Sequence, residues 1–203
     1  VARKTKIPTE GQGFRTNHNK FLRLKMILTL SKAALLSAMI FQAHKDIRYY
    51  LNGICFAPDG KLYATDGHRA FIGEHENKEL TETIIVAIKG PKVTKFEKAE
   101  IDTDSGLVAY LDENGTRIGA GICEVVDGRF PDIQRIISNF KSKPTDEIGF
   151  NAGYLADIEK AAKLYSPKFC GIKIKPNGNT DASIVELHGA FDKGTVVIMP
   201  MRI

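Results

Sequence analysis

Three glycine-centred turns constrain this chain more than any other feature. Asp59-Gly60, Asn114-Gly115 and Asn177-Gly178 recur at near-regular intervals, each between stretches of strand character. Asp-Gly and Asn-Gly supply the positive φ angles that a two-residue hairpin turn needs. The same signals precede each turn: an apolar strand, a helical stretch and a second strand. The first block predicts a strand over 27–30, a helix over 31–44 and a strand over 50–56. The second predicts a strand over 83–88, a short helix over 91–98 and a strand over 106–111. The third predicts a strand over 147–151, a helix over 152–165 and a strand over 171–175. Further strands follow the turns, over 61–65 and 69–74, over 117–126, and over 183–188 and 195–201. The first and third blocks share wording as well, with NGICFAPDG matched by CGIKIKPNG. The chain therefore reads as an α+β fold of three βαβββ units. Leu36, Met39, Ile40 and Ala43 form one apolar helical stripe, and Leu155, Ile158, Ala162 and Tyr165 form another. Each stripe is expected to lie on its sheet.

Two paired units make a domain over 26–138, the polar stretch 139–146 (NFKSKPTD) is a linker, and 147–203 is a half domain. The third unit lacks a mate. Its apolar helix stripe is expected to face water in a monomer, so two chains would complete each other.

Charge is unevenly placed. The chain holds 29 Lys plus Arg against 24 Asp plus Glu, a net +5. Residues 1–25 carry seven cations and one anion, so the remainder is close to neutral. This segment reads as a basic, unstructured arm, either for nucleic-acid contact or as a remnant of translation start or expression. Three scattered cysteines, Cys55, Cys123 and Cys170, match no disulfide or zinc spacing and suit reduced thiols in the cytoplasm. The run MILTLSKAALLSAMIFQA follows basic residues as a signal peptide would, but Lys32 and two serines interrupt it. It is also too short and broken for a membrane span. The expectation is a cytoplasmic protein with no membrane partner.

Signatures of common enzymes are missing. There is no phosphate-binding Gly-rich loop, nucleophile elbow or His-Glu-x-x-His pair. His68, Glu74 and His75 could hold zinc, giving a minor reading as a metal-dependent hydrolase, against a solvated loop. Asp66 beside His68 could do acid–base work, against a plain turn. Lys92, Lys95 and Lys98 step by three along the predicted second helix, and Lys89 sits at a strand end. Such a row tracks a phosphate backbone or is a solvated face. Arg48-Tyr49-Tyr50 offers cation and rings for nucleic acid, or an aromatic cap on the core. The terminal TVVIMPMRI is apolar to its last residue. Pro200 forces 199–203 out of any sheet, and its flanking thioethers suit an apolar peptide groove, or simple packing.

Five phrases in order carry a family resemblance: AHKDIRYYLNGICF at 43–56, ATDGHRAF at 64–71, VDGRFPDIQRII at 126–137, IGFNAGYLADI at 148–158 and the terminal VVIMPMRI. The chain resembles the bacterial DNA polymerase III beta subunit, the sliding clamp. The resemblance implies a DNA-clamp fold with one full domain similar to the family's middle domain and a half domain similar to the second half of its last. On this reading the first domain and the first half of the third are missing, and the arm at 1–25 matches nothing in the family.

The resemblance also implies function. Clamp-binding peptides of DNA polymerase and clamp loader would dock in a groove walled by Leu51, Thr65, Gly67, His68, Arg69 and Ala70 on one side. Tyr154, Val197, Met199, Pro200, Met201 and Arg202 would form the other. Ala70 and Ser138 depart from the family, which has a larger apolar residue and often a proline there. Arg48, Tyr49, Tyr50 and Lys89 match positions where clamps touch double-stranded DNA. The expected protein is a non-enzymatic processivity factor for DNA replication, without cofactor or metal, acting as a homo-oligomer (dimer or tetramer). The alternative is a clamp mimic that binds clamp-motif peptides or a host clamp without forming a loaded ring.

Overall fold

The computed structural model describes residues 27–77, 79–91, 93–188 and 194–202. The arm at 1–25, Lys92 and Ile203 lie outside the described residues.

The first unit comprises β1 (Ile27–Ser31), α1 (Lys32–Phe41), β2 (Ile54–Phe56), β3 (Lys61–Thr65) and β4 (Arg69–Glu74), with a 3-10 turn at Tyr49–Asn52. The second comprises β5 (Ile84–Lys89), β6 (Lys98–Asp102), β7 (Leu107–Leu111) and β8 (Arg117–Val126). After the short α2 (Ile133–Ser138) come α3 (Ala152–Tyr165), β9 (Ile172–Lys175), β10 (Ser183–Leu187) and β11 (Gly194–Ile198). All eleven strands join one sheet in the order β1-β6-β7-β8-β5-β2-β3-β4-β11-β10-β9.

Local chemistry explains the elements. Ser31 ends β1 and caps α1, its hydroxyl accepting from the Ala34 amide at 3.2 Å. Asn151 caps α3 by accepting from the Gly153 amide at 2.8 Å. The three turn glycines have φ of +82° (Gly60), +77° (Gly115) and +71° (Gly178), the left-handed region that their sequences demanded. The first two loops run to four and five residues, not two, because side chains widen them. Asp112 Oδ1, for example, accepts from both Asn114 and Thr116 amides at 2.9 and 2.8 Å.

Units one and two exchange their first strands. β1 pairs with β6, and β5 pairs with β2 as well as β8. Neither unit has a complete sheet alone. The third unit continues the same sheet, with β11 antiparallel to β4 through Thr195↔Ile72, Val197↔Ala70 and Ile198↔Arg69.

Several expectations are corrected. No helix forms around 91–98 among the described residues. Gly90-Pro91 leaves only a few residues before β6, and β-branched Val93 and Thr94 disfavour so short a helix. Lys95 and Lys98 are therefore not on one helical face, and Lys98 opens β6. The segment 147–151 is not a strand, and 50–56 splits into a 3-10 turn and β2. α1 is buried on most sides, not along one stripe, because the sheet covers one side and α3 the other. Most of the third unit's apolar stripe does not face water: Ile158, Ala162 and Tyr165 are buried within the chain, and Leu155 alone of the four is exposed, at 37%. Mutual completion by two chains therefore loses its argument.

The inner core gathers α1, α3 and one face of the sheet around Leu35, Phe41, Phe56, Phe71, Phe96 and Ile158. Ala161 and Ala162 on α3 allow α1 to approach closely. Gly194 serves the same purpose for β11, since a Cβ there would lie 2.9 Å from the Tyr165 ring. A smaller cluster on the outer face holds Cys55, Tyr63, Ala70, Ile72, Ile85, Ile133 and Val197. Phe41 ends α1, is fully buried, and stacks on Phe71 at 5.9 Å between ring centroids. Phe41→Ala is expected to cost about 3–5 kcal/mol of unfolding free energy, measured by urea denaturation.

Candidate functional site

Where β4 begins, three parts of the chain converge. The Asp66-Gly67-His68 turn precedes the strand. Asp66 Oδ1 accepts from the His68 and Arg69 amides at 2.9 and 3.0 Å, which fixes the turn. Thr65 closes it from inside, its hydroxyl donating to the Arg69 carbonyl at 2.6 Å and accepting from the Gly67 amide at 3.0 Å. Gly67 has φ +94°, and a Cβ there would press on the Arg48 guanidinium at 3.1 Å.

Arg69 is the hub. It is 9% exposed and donates from Nε to Asp66 Oδ2 at 3.0 Å and from Nη1 to Asp157 Oδ2 at 2.7 Å. Its guanidinium lies over the Phe41 ring at 4.9 Å and the Tyr154 ring at 4.6 Å. A planar, weakly hydrated cation suits such a sandwich better than an ammonium would. Asp157 stands one helical turn after Tyr154, so α3 presents both to Arg69. Burial pushes the Asp157 carboxyl up, but hydrogen bonds from Lys160 and Arg69 outweigh it and hold the group below its usual range.

The end of β11 runs alongside. The Met199 amide donates to the His68 carbonyl at 3.0 Å, and the Met201 amide donates to the Gly149 carbonyl at 2.8 Å. Past Ile198 the chain leaves the sheet, as Pro200 dictates, and Met199 and Met201 remain 40% and 49% exposed. His68 stacks on Tyr154 at 6.3 Å between centroids. The open rim thus consists of Gly67, His68, Met199, Met201 and Arg202, with Tyr154 and Pro200 half-buried. Leu51, Thr65, Arg69, Ala70 and Val197 are buried beneath it. Ala70 and Val197 face each other across β4 and β11 and join the outer-face cluster that Ile133 of α2 caps.

The sequence had not singled out Asp157, Phe41 or Gly149. Only the helical spacing of Tyr154 and Asp157 carried a signal, and the partner of Asp157 lies far away along the chain.

The other candidates scatter. Arg48 is chelated by Asp46, with Nε–Oδ1 at 3.0 Å and Nη2–Oδ2 at 2.7 Å, and that hydrogen bonding lowers the Asp46 pKa to about 2. Tyr49 is exposed and meets half-buried Tyr50 edge-on at 5.8 Å. Lys89 pairs with Glu124 at 2.6 Å, Lys98 pairs with Glu76 at 3.2 Å, and Lys95 is exposed. His68 and His75 lie beyond opposite ends of β4, so the zinc reading fails on geometry. Among the described residues no cluster of three or more His, Cys, Asp or Glu could hold a metal. No described helix is long and apolar enough to cross a membrane.

An outer sheet, inner helices and a rim built on two sheet strands define the class as a DNA-clamp fold. Solved structures bear this out. The H. pylori beta clamp in complex with diflunisal aligns with a TM-score of 0.60 at 12% identity, over 90% of this chain and 68% of that one. The DNA polymerase III subunit beta from Pseudomonas aeruginosa aligns with a TM-score of 0.54 at 17% identity, over 97% of this chain and 69% of that one. The beta sliding clamp of Escherichia coli K12 is 33% identical over 146 residues, 68% of this chain and 39% of the relative. That of Salmonella typhimurium LT2 is 31% identical over 152 residues, 70% of this chain and 40% of the relative. The chain is a homologue of the beta sliding clamps. It spans about two fifths of the length of the curated relatives it matches. No family model matches it.

The Arg69–Asp157 contact makes stability pH-dependent. Asp157 is held below its ordinary value, so the stabilisation is complete above the unfolded carboxyl pKa of about 3.9 and is lost as pH falls through the lower folded value. Asp157→Asn is therefore expected to lower stability at pH 7 and to differ less from the parent as pH drops below about 4. Paired urea denaturations at pH 7 and pH 3 read this, and a gap of equal size at both contradicts it.

Proposed function

We propose that the chain is a non-enzymatic, clamp-like processivity factor of cytoplasmic DNA replication, and that its rim at His68, Tyr154, Met199 and Met201 holds an apolar peptide of a polymerase or clamp loader. The observation that carries this reading is the pairing of β4 with β11. It sets the His68 turn against the 199–201 segment within one chain and leaves two thioethers half-exposed beside an aromatic stack. Flexible thioethers and aromatic faces accept apolar side chains of varied shape. Backbone bonds hold the rim before any ligand arrives, so binding has little ordering to pay for. Homology to clamps over the matched part of the chain supports the same reading.

Contact with double-stranded DNA belongs to the proposal through Arg48, Tyr49, Tyr50, Lys89, Lys95 and Lys98. Lys89, Lys98 and Arg48 already have carboxylate partners, so their contacts with phosphate would be exchanges of partner that weaken as salt rises. Encircling a duplex takes several copies, and among the described residues β1 and β9 are the edge strands of the sheet.

Met199→Ala with Met201→Ala removes the half-exposed anchors without touching the buried core. The pair is expected to weaken binding of a polymerase clamp-motif peptide by about 2–3 kcal/mol, roughly a hundredfold, with the unfolding midpoint unchanged. Fluorescence anisotropy reads the affinity, and an undiminished value removes the rim as the peptide site.

A further inference from the structure

The outer face carries a second concavity that the peptide rim does not use. A cleft of about 870 Å³ opens where the start of β5, the end of β8 and the β2–β3 turn meet the segment leading into α2. None of the rim residues lines it. Its floor is apolar, with Tyr63, Ile85, Phe130 and Ile133. Its margin holds four carboxylates, Asp59, Glu82, Asp127 and Asp132, against one cation, Arg129. Burial, and then the Asp59 carboxylate, push the Cys55 thiol and the Tyr63 hydroxyl up to about 12, as expected where the local field is negative.

An apolar row leads from this cleft towards β1. Residues opposite one another in antiparallel strands share a face. The register Ile27↔Asp102, Asp102↔Leu107 and Leu107↔Ile122 therefore sets Ile27, Leu107 and Ile122 on one line of the outer face. All three are open to solvent, at 43%, 44% and 55%. From Ile122, β8 runs on to Val126, which lines the cleft. The first residue of β1 points its chain entry towards the same end of the sheet. Three strand spacings and four residues of β8 put Val126 about 20 Å from Ile27, about six extended residues of chain.

The sequence that enters β1 has matching chemistry. Residues 20–25 read KFLRLK, with three cations and three apolar side chains, in an arm that holds seven cations and one anion. We infer that the acidic cleft and the apolar row beside it are a docking seat for the chain's own basic segment 20–25. Extended back from Ile27, the segment would bring Lys20 to the carboxylates of the cleft, nearest Asp127, while Leu22 and Leu24 would cover the exposed row and Phe21 the floor.

The chain has no tryptophan, so Phe21→Trp supplies a single reporter in the full-length protein. Acrylamide quenching is expected to be several-fold slower there than in a free peptide of residues 20–26 with the same substitution. Glu82→Lys with Asp127→Lys, two exposed sites, is expected to return quenching to the peptide's rate, and the milder Glu82→Gln with Asp127→Asn to an intermediate one. Thermal melts confirm that each variant is folded. Quenching as fast as the peptide's in the parent overturns the proposal. So does shielding that survives both charge variants, or shielding that appears only as protein concentration rises and so comes from a second copy.

Discussion

One buried guanidinium holds the architecture together. Arg69 sits at the first residue of β4, between the end of α1 and the first turns of α3, in contact with carboxylates from two units and rings from two helices. Placing a cation there carries a desolvation cost that only full pairing offsets. Asp66 and Asp157 supply the opposing charge, and the Ile40 carbonyl lies at 3.4 Å from the remaining nitrogen. Removing either carboxylate leaves the buried guanidinium with half of its charge pairing. The third unit is thereby fastened to the first at the same spot where its last strand joins the sheet.

The sheet adds a second constraint. Because β1 and β5 are exchanged between the first two units, those units fold together or not at all. Because β11 pairs with β4, the third unit extends that body as one continuous surface. Helices α1 and α3 then pack on one another over the inner face, with alanines at the contact. The rim beside His68 is a consequence: a turn fixed by Asp66, a proline-stopped strand end and an aromatic side chain on α3 meet because the elements that bear them are paired.

Much of this was legible in the sequence where the determinants are local. The helix over 152–165 begins and ends as its cap and periodicity require. The turn glycines adopt the positive φ that Asp-Gly and Asn-Gly announced. Met199 leaves the sheet because Pro200 follows it. What stayed hidden is long-range. The strand β6 begins inside the stretch whose lysines mimicked a helix face. The burial of α1 on both sides depends on α3, and the strand exchange leaves no trace in any single segment. Arg69 read as one residue of a groove wall, and its contact with an aspartate 88 residues away was not visible in that reading. Spacing along the chain cannot encode such a contact. The recurring phrases pointed to the clamp fold and to the two walls; which wall residues stand open at the rim and which lie buried needed coordinates.

A preformed rim in a single chain is the central physical claim, and it depends on β11 being as firmly bound as the body. The most direct measurement is amide hydrogen exchange at Met199, whose N–H donates across to the His68 carbonyl, compared with amides of β3 in the same sample. If the third unit and the first two are one cooperative body, the Met199 amide opens with nearly the free energy of the β3 amides. Fast exchange at Met199 while β3 stays protected would mean that the third unit detaches on its own and that the rim is not preformed.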